Sequence, residues 1–243
     1  MAVSIYDTHE ELSISAAQRL VKRINDVLSM QACCIFVPSA GRTPTRIYEI
    51  LAEKHMATVN WNRVLVVQMD EYANVEYCSS GSFSEYLVKK LVEPLGIGEF
   101  CSFFGSNGKL THDLGAIDNK LSSLGGIDTV LYGIGENGHL GFNEPGSCRF
   151  SHTRKVRLTK STLIANQRAI SDYDDLSAMG VTLGLDVLLK AKSSLLIASG
   201  DRKLKAINLF LMGMVSNECP ASHLRTVKNV DVLINSDCYP SHD

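Results

Sequence analysis

Hydrophobic positions along the chain fall into two patterns that alternate from one end to the other. Nearly continuous apolar runs of four to six residues lie at 32–37, 64–69, 129–132, 195–198 and 230–234. Such runs predict strands that are covered on both faces, as in a parallel sheet. Between them, apolar residues recur three or four positions apart, which predicts amphipathic helices. The first helical stripe consists of Leu12, Ala16, Leu20, Ile24 and Leu28.

This alternation predicts the fold class directly. Strands that alternate with helices build a mostly parallel sheet with helices on both faces, so we expect a single-domain, Rossmann-like α/β fold. The chain shows no internal repeat, linker or low-complexity segment. We therefore expect one domain over residues 1–243.

Some element boundaries follow from local signals. Asp7 with Glu10 three residues later resembles a capping box that opens the first helix. Residues 110–124 have helical periodicity and end at a glycine pair, which predicts a helix over this whole range. Residues 100–104 suit either a short strand or a loop. Asp70 follows directly on the strand predicted at 64–69.

Composition and charge exclude several classes of function. The formal net charge is −2 and no basic block is present, so nucleic acid is not an expected partner. Acidic residues close to the N-terminus argue against a signal peptide, and no apolar run is long enough for a membrane helix. The seven cysteines are an odd number without a Cys-x-x-Cys pair. They predict neither a disulfide framework nor a zinc site, and we expect a reducing, cytoplasmic location.

Candidate chemistry is concentrated in residues 133–146, after the strand predicted at 129–132. This stretch holds five glycines, His139, Glu136 and Glu144. Open α/β sheets bind ligands at the carboxyl ends of their strands, where this loop would lie. Two interpretations are open on spacing alone. One is an active-site loop in which Glu144 orients His139 as an acid and base, and the other is a glycine-rich surface turn.

The literal motif favours the first interpretation. Gly-x-Gly-x-Asn-Gly-His-x-Gly-x-Asn-Glu-Pro-Gly resembles the signature of the glucosamine-6-phosphate deaminase/isomerase family, and its galactosamine-6-phosphate branch in particular. The resemblance extends over about residues 30–235. It implies isomerisation and deamination of a hexosamine 6-phosphate to a ketohexose 6-phosphate and ammonia, with no metal and no organic cofactor.

The resemblance also implies roles for individual residues. Asp70 begins Asp-Glu-Tyr, where the family has the base that moves the proton at carbon two. The substrate phosphate would be bound by a small-residue loop, by an arginine and by the lysine of a Gly-x-x-Lys segment. In this chain those residues are Ser39, Ala40, Gly41, Arg42, Thr43, Arg168 and Lys203. Arg42 stands where the family usually has a small residue, and whether it contacts phosphate or points into solvent is open.

Asn137 is a further departure. Many glucosamine-type members have aspartate here, close to the catalytic histidine, and asparagine carries no charge. We associate the asparagine with the galactosamine branch, but the sequence leaves open which of the two sugars is the substrate. We expect a small-molecule sugar phosphate as the partner, and a monomer or a small homo-oligomer. The alternatives are a 6-phosphogluconolactonase and a non-catalytic sugar-phosphate sensor.

Overall fold

A computed structural model of the chain describes residues 1–167 and 178–240. The strands in these residues are β1 (Ala2–Tyr6), β2 (Cys34–Val37), β3 (Val64–Val67), β4 (Asp70–Tyr72), β5 (Glu99–Cys101), β6 (Thr129–Gly133), β7 (Arg154–Arg157), β8 (Met179–Thr182), β9 (Ser193–Ala198) and β10 (Val230–Asn235). The helices are α1 (His9–Met30), α2 (Arg42–His55), α3 (Phe83–Leu87), α4 (Glu93–Leu95), α5 (Gly115–Ser123), α6 (Lys160–Gln167), α7 (Leu185–Leu188) and α8 (Leu204–Met212). A π-helical segment, Val88–Val92, joins α3 to α4.

Seven of the strands form one parallel sheet in the order β1-β10-β9-β6-β2-β3-β5. On one side of β2, the chain adds β3 and then β5. On the other side of β2, it adds β6, then β9 and then β10. The order therefore reverses between β2 and β6, and ligands of open α/β sheets bind at such a switch point.

Alternate residues of the central strands enter two separate hydrophobic cores. In β2, Ile35 and Val37 pack into one core, while Cys34 and Phe36 pack into the other. The first core is covered by α5, α7 and α8, and the second by α1, α2 and the segment from α3 to α4. Helices thus cover both faces, which confirms the predicted fold class and explains why β2 and β3 are apolar at every position.

A second, smaller sheet stands beside the carboxyl end of β3. Its order is β4-β8-β7, and both pairings are antiparallel. Asp70 pairs with Thr182 in this sheet, so β8 fixes the place where the chain leaves β3. Residues 70–72, which follow directly on the strand predicted at 64–69, therefore form a separate strand with a separate partner.

Several predicted boundaries are wrong. Helix α1 begins with Thr8 and Glu11 as the capping box, one residue later than the predicted Asp7 and Glu10. Helix α5 covers only Gly115–Ser123, because Leu110 forms an antiparallel bridge with Phe104 and the Asp113 carboxylate accepts a hydrogen bond from the Ala116 N–H. Strand β1 was not predicted. Within residues 1–167 and 178–240, no helix has the length and apolar character that crossing a membrane requires.

Candidate active site

A cleft of about 820 Å³ opens at the carboxyl ends of the central strands. Its lining comes from the loop after β2, from residues 69–70 after β3, from the loop after β6 and from residues 199–203 after β9. This is the reversal point of the strand order, and the volume suits a small ligand. Among the described candidates, Asp70, His139, Lys203 and all five residues of the 39–43 loop line it.

The imidazole ring of His139 lies flat against the backbone of Gly135. A methyl group on Gly135 would collide with three atoms of this ring, so no larger residue fits here. Gly138 has a φ of +87°, a conformation that favours glycine, and its N–H donates to the Gly135 carbonyl. These two glycines therefore turn the loop so that His139 faces the cleft.

The Nδ1 atom of His139 faces two oxygen atoms at the back of the cleft. It lies 3.2 Å from Thr162 Oγ1 and 3.5 Å from Glu144 Oε2. A carboxylate at this nitrogen favours the tautomer with the proton on Nδ1, which leaves Nε2 free to accept a proton. Glu144 and Thr162 thus both face the Nδ1 side of the imidazole ring.

Glu144 is held ionised by a set of donors. Its Oε1 accepts from the Thr159 N–H at 3.1 Å, and its Oε2 accepts from Asn137 Nδ2 at 2.8 Å and from Thr159 Oγ1 at 3.3 Å. Burial alone would raise the pKa of Glu144, but His139 and the hydroxyl and N–H donors outweigh it and hold this pKa at about 2. The carboxylate therefore keeps its charge wherever the protein is folded at ordinary pH.

Asn137 contacts this carboxylate rather than the imidazole ring. Its Nδ2 donates to Glu144, and its Oδ1 accepts from the backbone N–H of His139 at 3.2 Å. Both amide atoms hold the loop in shape. The influence of position 137 on His139 is therefore expected to pass mainly through Glu144.

An Asn137→Asp variant would place a second carboxylate against Glu144. The added negative charge close to Nδ1 favours the imidazolium form, so His139 should stay protonated to higher pH than in the native chain. Histidine NMR titration measures this, and Asn107→Asp, at an exposed turn, is the matched control. Identical His139 titrations in the native chain and in Asn137→Asp would show that position 137 is not coupled to the ring.

Asp70 lies at the edge of the cleft and is only 8% exposed. Burial raises its pKa, the negative charge of Glu71 acts in the same direction, and the result is about 8 against an ordinary value of 3.8. A carboxylate that holds its proton this strongly is a strong base once it is ionised. This is the property expected of a group that removes a proton from carbon.

The loop after β2 contributes polar groups to the lining of the cleft. Ser39 is 6% exposed, and its Oγ is buried with no partner among the described residues. The Tyr48 hydroxyl donates to the Ser39 carbonyl at 2.6 Å and fixes this part of the loop. Gly41 has a φ of +123° and precedes the first turn of α2. A free hydroxyl beside a helix N-terminus is a suitable place for an anion.

Two cationic side chains, Arg42 and Lys203, also line the cleft. Within the described residues, no carboxylate lies within ion-pair distance of Arg42 or Lys203. Burial lowers the pKa of Lys203, Glu136 partly offsets this, and the charge of Arg42 adds to the lowering. Two unpaired positive groups that repel each other in a half-buried cleft favour a bound anion. Of the two predicted phosphate-binding arginines, Arg42 lines the cleft. Arg168 lies outside the described residues.

Two residues of this site were not found from the sequence. Thr159 and Thr162 bind Glu144 and the His139 ring from the start of α6, more than ten residues further along the chain. Their sequence, Thr-Lys-Ser-Thr, resembles an ordinary helix start and carries no local sign of a partner. His9, at the start of α1, also lines the cleft. Among the described residues, no three His, Cys, Asp or Glu side chains are grouped so as to hold a metal ion.

Comparison with known proteins places this site in a family. Residues 7–233 match the family described as glucosamine-6-phosphate isomerases/6-phosphogluconolactonase. The glucosamine-6-phosphate deaminase of Bacillus cereus is 32% identical over 237 residues, which cover 98% of this chain and 87% of that protein. A solved structure of a monomeric glucosamine-6-phosphate deaminase is 30% identical, with a TM-score of 0.88 and 98% of both chains covered.

A 6-phosphogluconolactonase from Trypanosoma brucei shares the fold at 20% identity and a TM-score of 0.75, with 98% of this chain and 97% of that chain covered. At this level of identity the likeness concerns the fold alone. The chain belongs to the glucosamine-6-phosphate isomerase/6-phosphogluconolactonase family. It is an enzyme of the isomerase and deaminase kind.

Proposed function

We propose that the chain converts a hexosamine 6-phosphate and water into a ketohexose 6-phosphate and ammonia. The observation that carries this proposal is the cleft itself. A buried carboxyl group with a pKa of about 8 and an oriented imidazole line the same cleft as a loop with a free hydroxyl and two unpaired cations. The carboxyl group and the imidazole suit proton transfer on a sugar. The hydroxyl and the two cations suit the binding of its phosphate group.

His139 is proposed to open the sugar ring. Ring opening needs a proton delivered to the ring oxygen and a proton taken from the anomeric hydroxyl. Imidazole performs both transfers near neutral pH, and its Nε2 is free to do so because Nδ1 faces Glu144 and Thr162. Glu144 stays charged throughout and stabilises the imidazolium that forms between the two transfers.

Asp70 is proposed to remove the proton from carbon two of the open-chain sugar. The electron pair of the broken C–H bond then forms an enediol-type double bond between carbons one and two. Return of a proton to carbon one gives an imine at carbon two. Addition of water to this imine forms the ketone and releases the nitrogen as ammonia. Each step moves only protons and water, which the cleft can supply without an oxidant or a reductant.

The proposed phosphate-binding residues hold the sugar in a fixed position for these proton transfers. We propose that Ser39, Ala40, Gly41, Arg42 and Thr43, together with Arg168 and Lys203, bind the phosphate group. Binding energy from a non-reacting group assists catalysis when it fixes the reacting carbons near Asp70 and His139. Arg42 adds a planar guanidinium to this site, and guanidinium groups match phosphate oxygens well.

The proposed role of Asp70 predicts a pH dependence. The base acts only when ionised, so kcat/KM should fall as the pH decreases through the pKa of Asp70, which is about 8. An initial-rate profile between about pH 3 and pH 10 measures this acid-side limb. An acid-side limb that lies near pH 4 would show that Asp70 titrates like an exposed carboxyl group and would contradict the proposed environment.

An ammonia assay with three substrates tests the proposed reaction. Galactosamine 6-phosphate, glucosamine 6-phosphate and 6-phosphogluconolactone are compared at equal concentration. We expect ammonia from at least one amino sugar, and we favour the galactosamine compound because of Asn137. Acid release from the lactone without ammonia from either sugar would instead support a lactonase. Binding without any turnover would support a sensor.

Three further assignments belong to the same proposal. We propose that residues 1–243 act as one catalytic domain, that the chain works in the cytoplasm, and that it is a monomer or a small homo-oligomer. The solved relative named as a monomeric deaminase supports the monomer. Light scattering of the purified chain measures its mass in solution.

A further inference from the structure

A second carboxylate is buried directly beside Asp70. The Glu71 side chain is 0% exposed and, unlike Asp70, does not line the cleft. Successive residues of a strand point to opposite faces, so Glu71 points from β4 towards the body of the protein. A buried carboxylate costs free energy unless its oxygen atoms are well bonded, so its partners show what it does.

Four donors converge on Glu71. Its Oε1 accepts from the N–H groups of Tyr72 at 2.9 Å and Phe83 at 3.0 Å. Its Oε2 accepts from the Ser84 N–H at 2.8 Å and from Gln68 Nε2 at 2.9 Å. These four bonds fill both carboxylate oxygens and tie β4 to the first residues of α3.

Among the described residues, all four hydrogen-bond partners of Glu71 are donors, which favours the ionised form. Burial raises the pKa of Glu71, and the four donors partly offset that rise. Among the described residues, no Lys, Arg or His nitrogen pairs with it. A protonated Glu71 would bring its hydrogen against these donors. The carboxylate therefore places an uncompensated negative charge one residue away from Asp70.

The same network holds the backbone of Asp70. Gln68 Nε2 donates to the Asp70 carbonyl at 3.0 Å as well as to Glu71, and Gln68 Oε1 accepts from the Phe103 N–H at 3.4 Å. Gln68 is 0% exposed. The amide and the Glu71 carboxylate thus clamp the turn between β3 and β4, where Asp70 enters the cleft.

Other titratable groups surround this pair on both sides. On β4 itself this group is Tyr72, and on the far side the Cys78 thiol lies near Glu71. The titratable groups that line the cleft are His9, Arg42, Glu136, His139, Asp201, Arg202 and Lys203. Because these groups line the same cleft as Asp70, a test must change Glu71 alone.

We propose that Glu71 is a positioning residue for Asp70: its buried carboxylate fixes the Asp70 backbone at the edge of the cleft and keeps a negative charge beside the Asp70 carboxyl group. The proposal rests on the proposed role of Asp70 as the base. Without that charge, Asp70 ionises more easily and becomes a weaker base. Without the hydrogen bonds to the backbone of residues 83 and 84, its distance from carbon two is no longer fixed.

Carbon-13 NMR of the whole chain, labelled at aspartate carboxyl groups, tests the effect of the charge directly. The Asp70 signal is assigned by its loss in Asp70→Asn. We expect Glu71→Gln to move the titration midpoint of Asp70 to lower pH. The matched control is Glu85→Gln, which removes the same charge from α3 at a side chain that pairs with Lys89. An Asp70 midpoint that is equal in the native chain and in Glu71→Gln would overturn the proposal.

Kinetics separate this inference from the proposed function. In Glu71→Gln, the acid-side limb of kcat/KM should move to lower pH together with the NMR midpoint, while Glu85→Gln keeps the native profile. If the native chain releases no ammonia from any hexosamine phosphate, the proposed function fails. The NMR result for Glu71 then still stands, because it does not depend on turnover.

Glu71→Gln sets an amide NH₂ against N–H donors, so a second variant is needed in case it does not fold. Glu71→Asp keeps the charge but is one methylene shorter and cannot reach all four donors. We expect its Asp70 midpoint to stay near the native value, and its kcat to fall between about tenfold and a hundredfold as Asp70 is displaced. A folded Glu71→Asp protein with native kcat would contradict the positioning role.

Discussion

Replacing Asp70 by asparagine should abolish turnover while the chain stays folded and still binds phosphate. Asparagine has nearly the same shape but cannot accept a proton from carbon. A positioned general base typically contributes about 10²–10⁴-fold, so kcat should fall by at least that much with little change in KM. Steady-state ammonia release measures the loss. Asp26→Asn, at an exposed ion pair with Lys22, is the matched control and should keep native activity.

The same variant should be more stable than the native chain at neutral pH. Asp70 ionises near 3.8 in the unfolded chain but only at about 8 in the folded protein. Between these values the folded state binds more protons, so its stability falls as the pH rises. The asparagine variant escapes this loss, which is on the order of a few kcal/mol above pH 7. Thermal melts at pH 4 and pH 8 should show a gain in Tm only at pH 8.

An Asp70→Asn protein with near-native kcat would show that another group removes the proton. A melting temperature equal to that of the native chain at pH 8 would show that Asp70 is better solvated than its burial indicates. The two measurements are independent, because one concerns a step of catalysis and the other concerns the free protein.

Replacing Lys203 by alanine should weaken substrate binding more than it slows the chemical step. Lys203 lines the cleft without a carboxylate partner among the described residues, and the loop that carries the unpartnered Ser39 hydroxyl lines the same cleft. Removing one partner of a desolvated charge pair costs about 2–5 kcal/mol, which corresponds to a rise in Kd of about thirtyfold or more. Calorimetry with inorganic phosphate or a substrate analogue measures this directly.

Lys205→Ala is the matched control for Lys203→Ala. Lys205 lies two residues further along the chain at an exposed position and does not line the cleft. The Lys205→Ala variant should bind substrate with native affinity. Equal losses in both variants would point to a general charge effect, and no loss in Lys203→Ala would place the phosphate away from the end of β9.

The central strands could be predicted from the sequence because each has a continuous apolar run. Burial on both faces requires this pattern, and the structure shows the two faces packing into two cores. Strand β1 lies at the edge of the sheet with Val3 and Ile5 exposed at 41% and 48%. An edge strand needs no continuous run, so its pattern gives no comparable signal.

The loop around His139 could be predicted because its functional residues lie within one short stretch of the sequence. The contacts that complete the site could not, since they come from distant segments. Thr162 reaches the His139 ring across 23 residues, and Asp70 enters the cleft through pairing with Thr182. The resemblance places position 137 close to the catalytic histidine, but it does not show that the Asn137 amide bonds to Glu144. Such pairings depend on how the chain returns to the sheet, which no local pattern specifies.

Glu71 is a second residue whose contacts could not be predicted from the sequence. Its position between Asp70 and Tyr72 marked it only as a neighbour of a candidate base. The four donors that bind it come from residues 68, 72, 83 and 84, and only the folded chain brings them together. Buried polar networks of this kind are visible only when all of their members are in place.

One measurement tests the central claim most directly: the fate of the hydrogen at carbon two. Hexosamine 6-phosphate deuterated at that carbon is incubated with the native chain and with Asp70→Asn, and products are followed by mass spectrometry and ammonia release. The account predicts that the native chain removes deuterium from carbon two and forms one ammonia per ketohexose 6-phosphate, while the variant does neither. Ammonia released together with a product that still carries deuterium at carbon two, or deuterium removed equally well by Asp70→Asn, would contradict it.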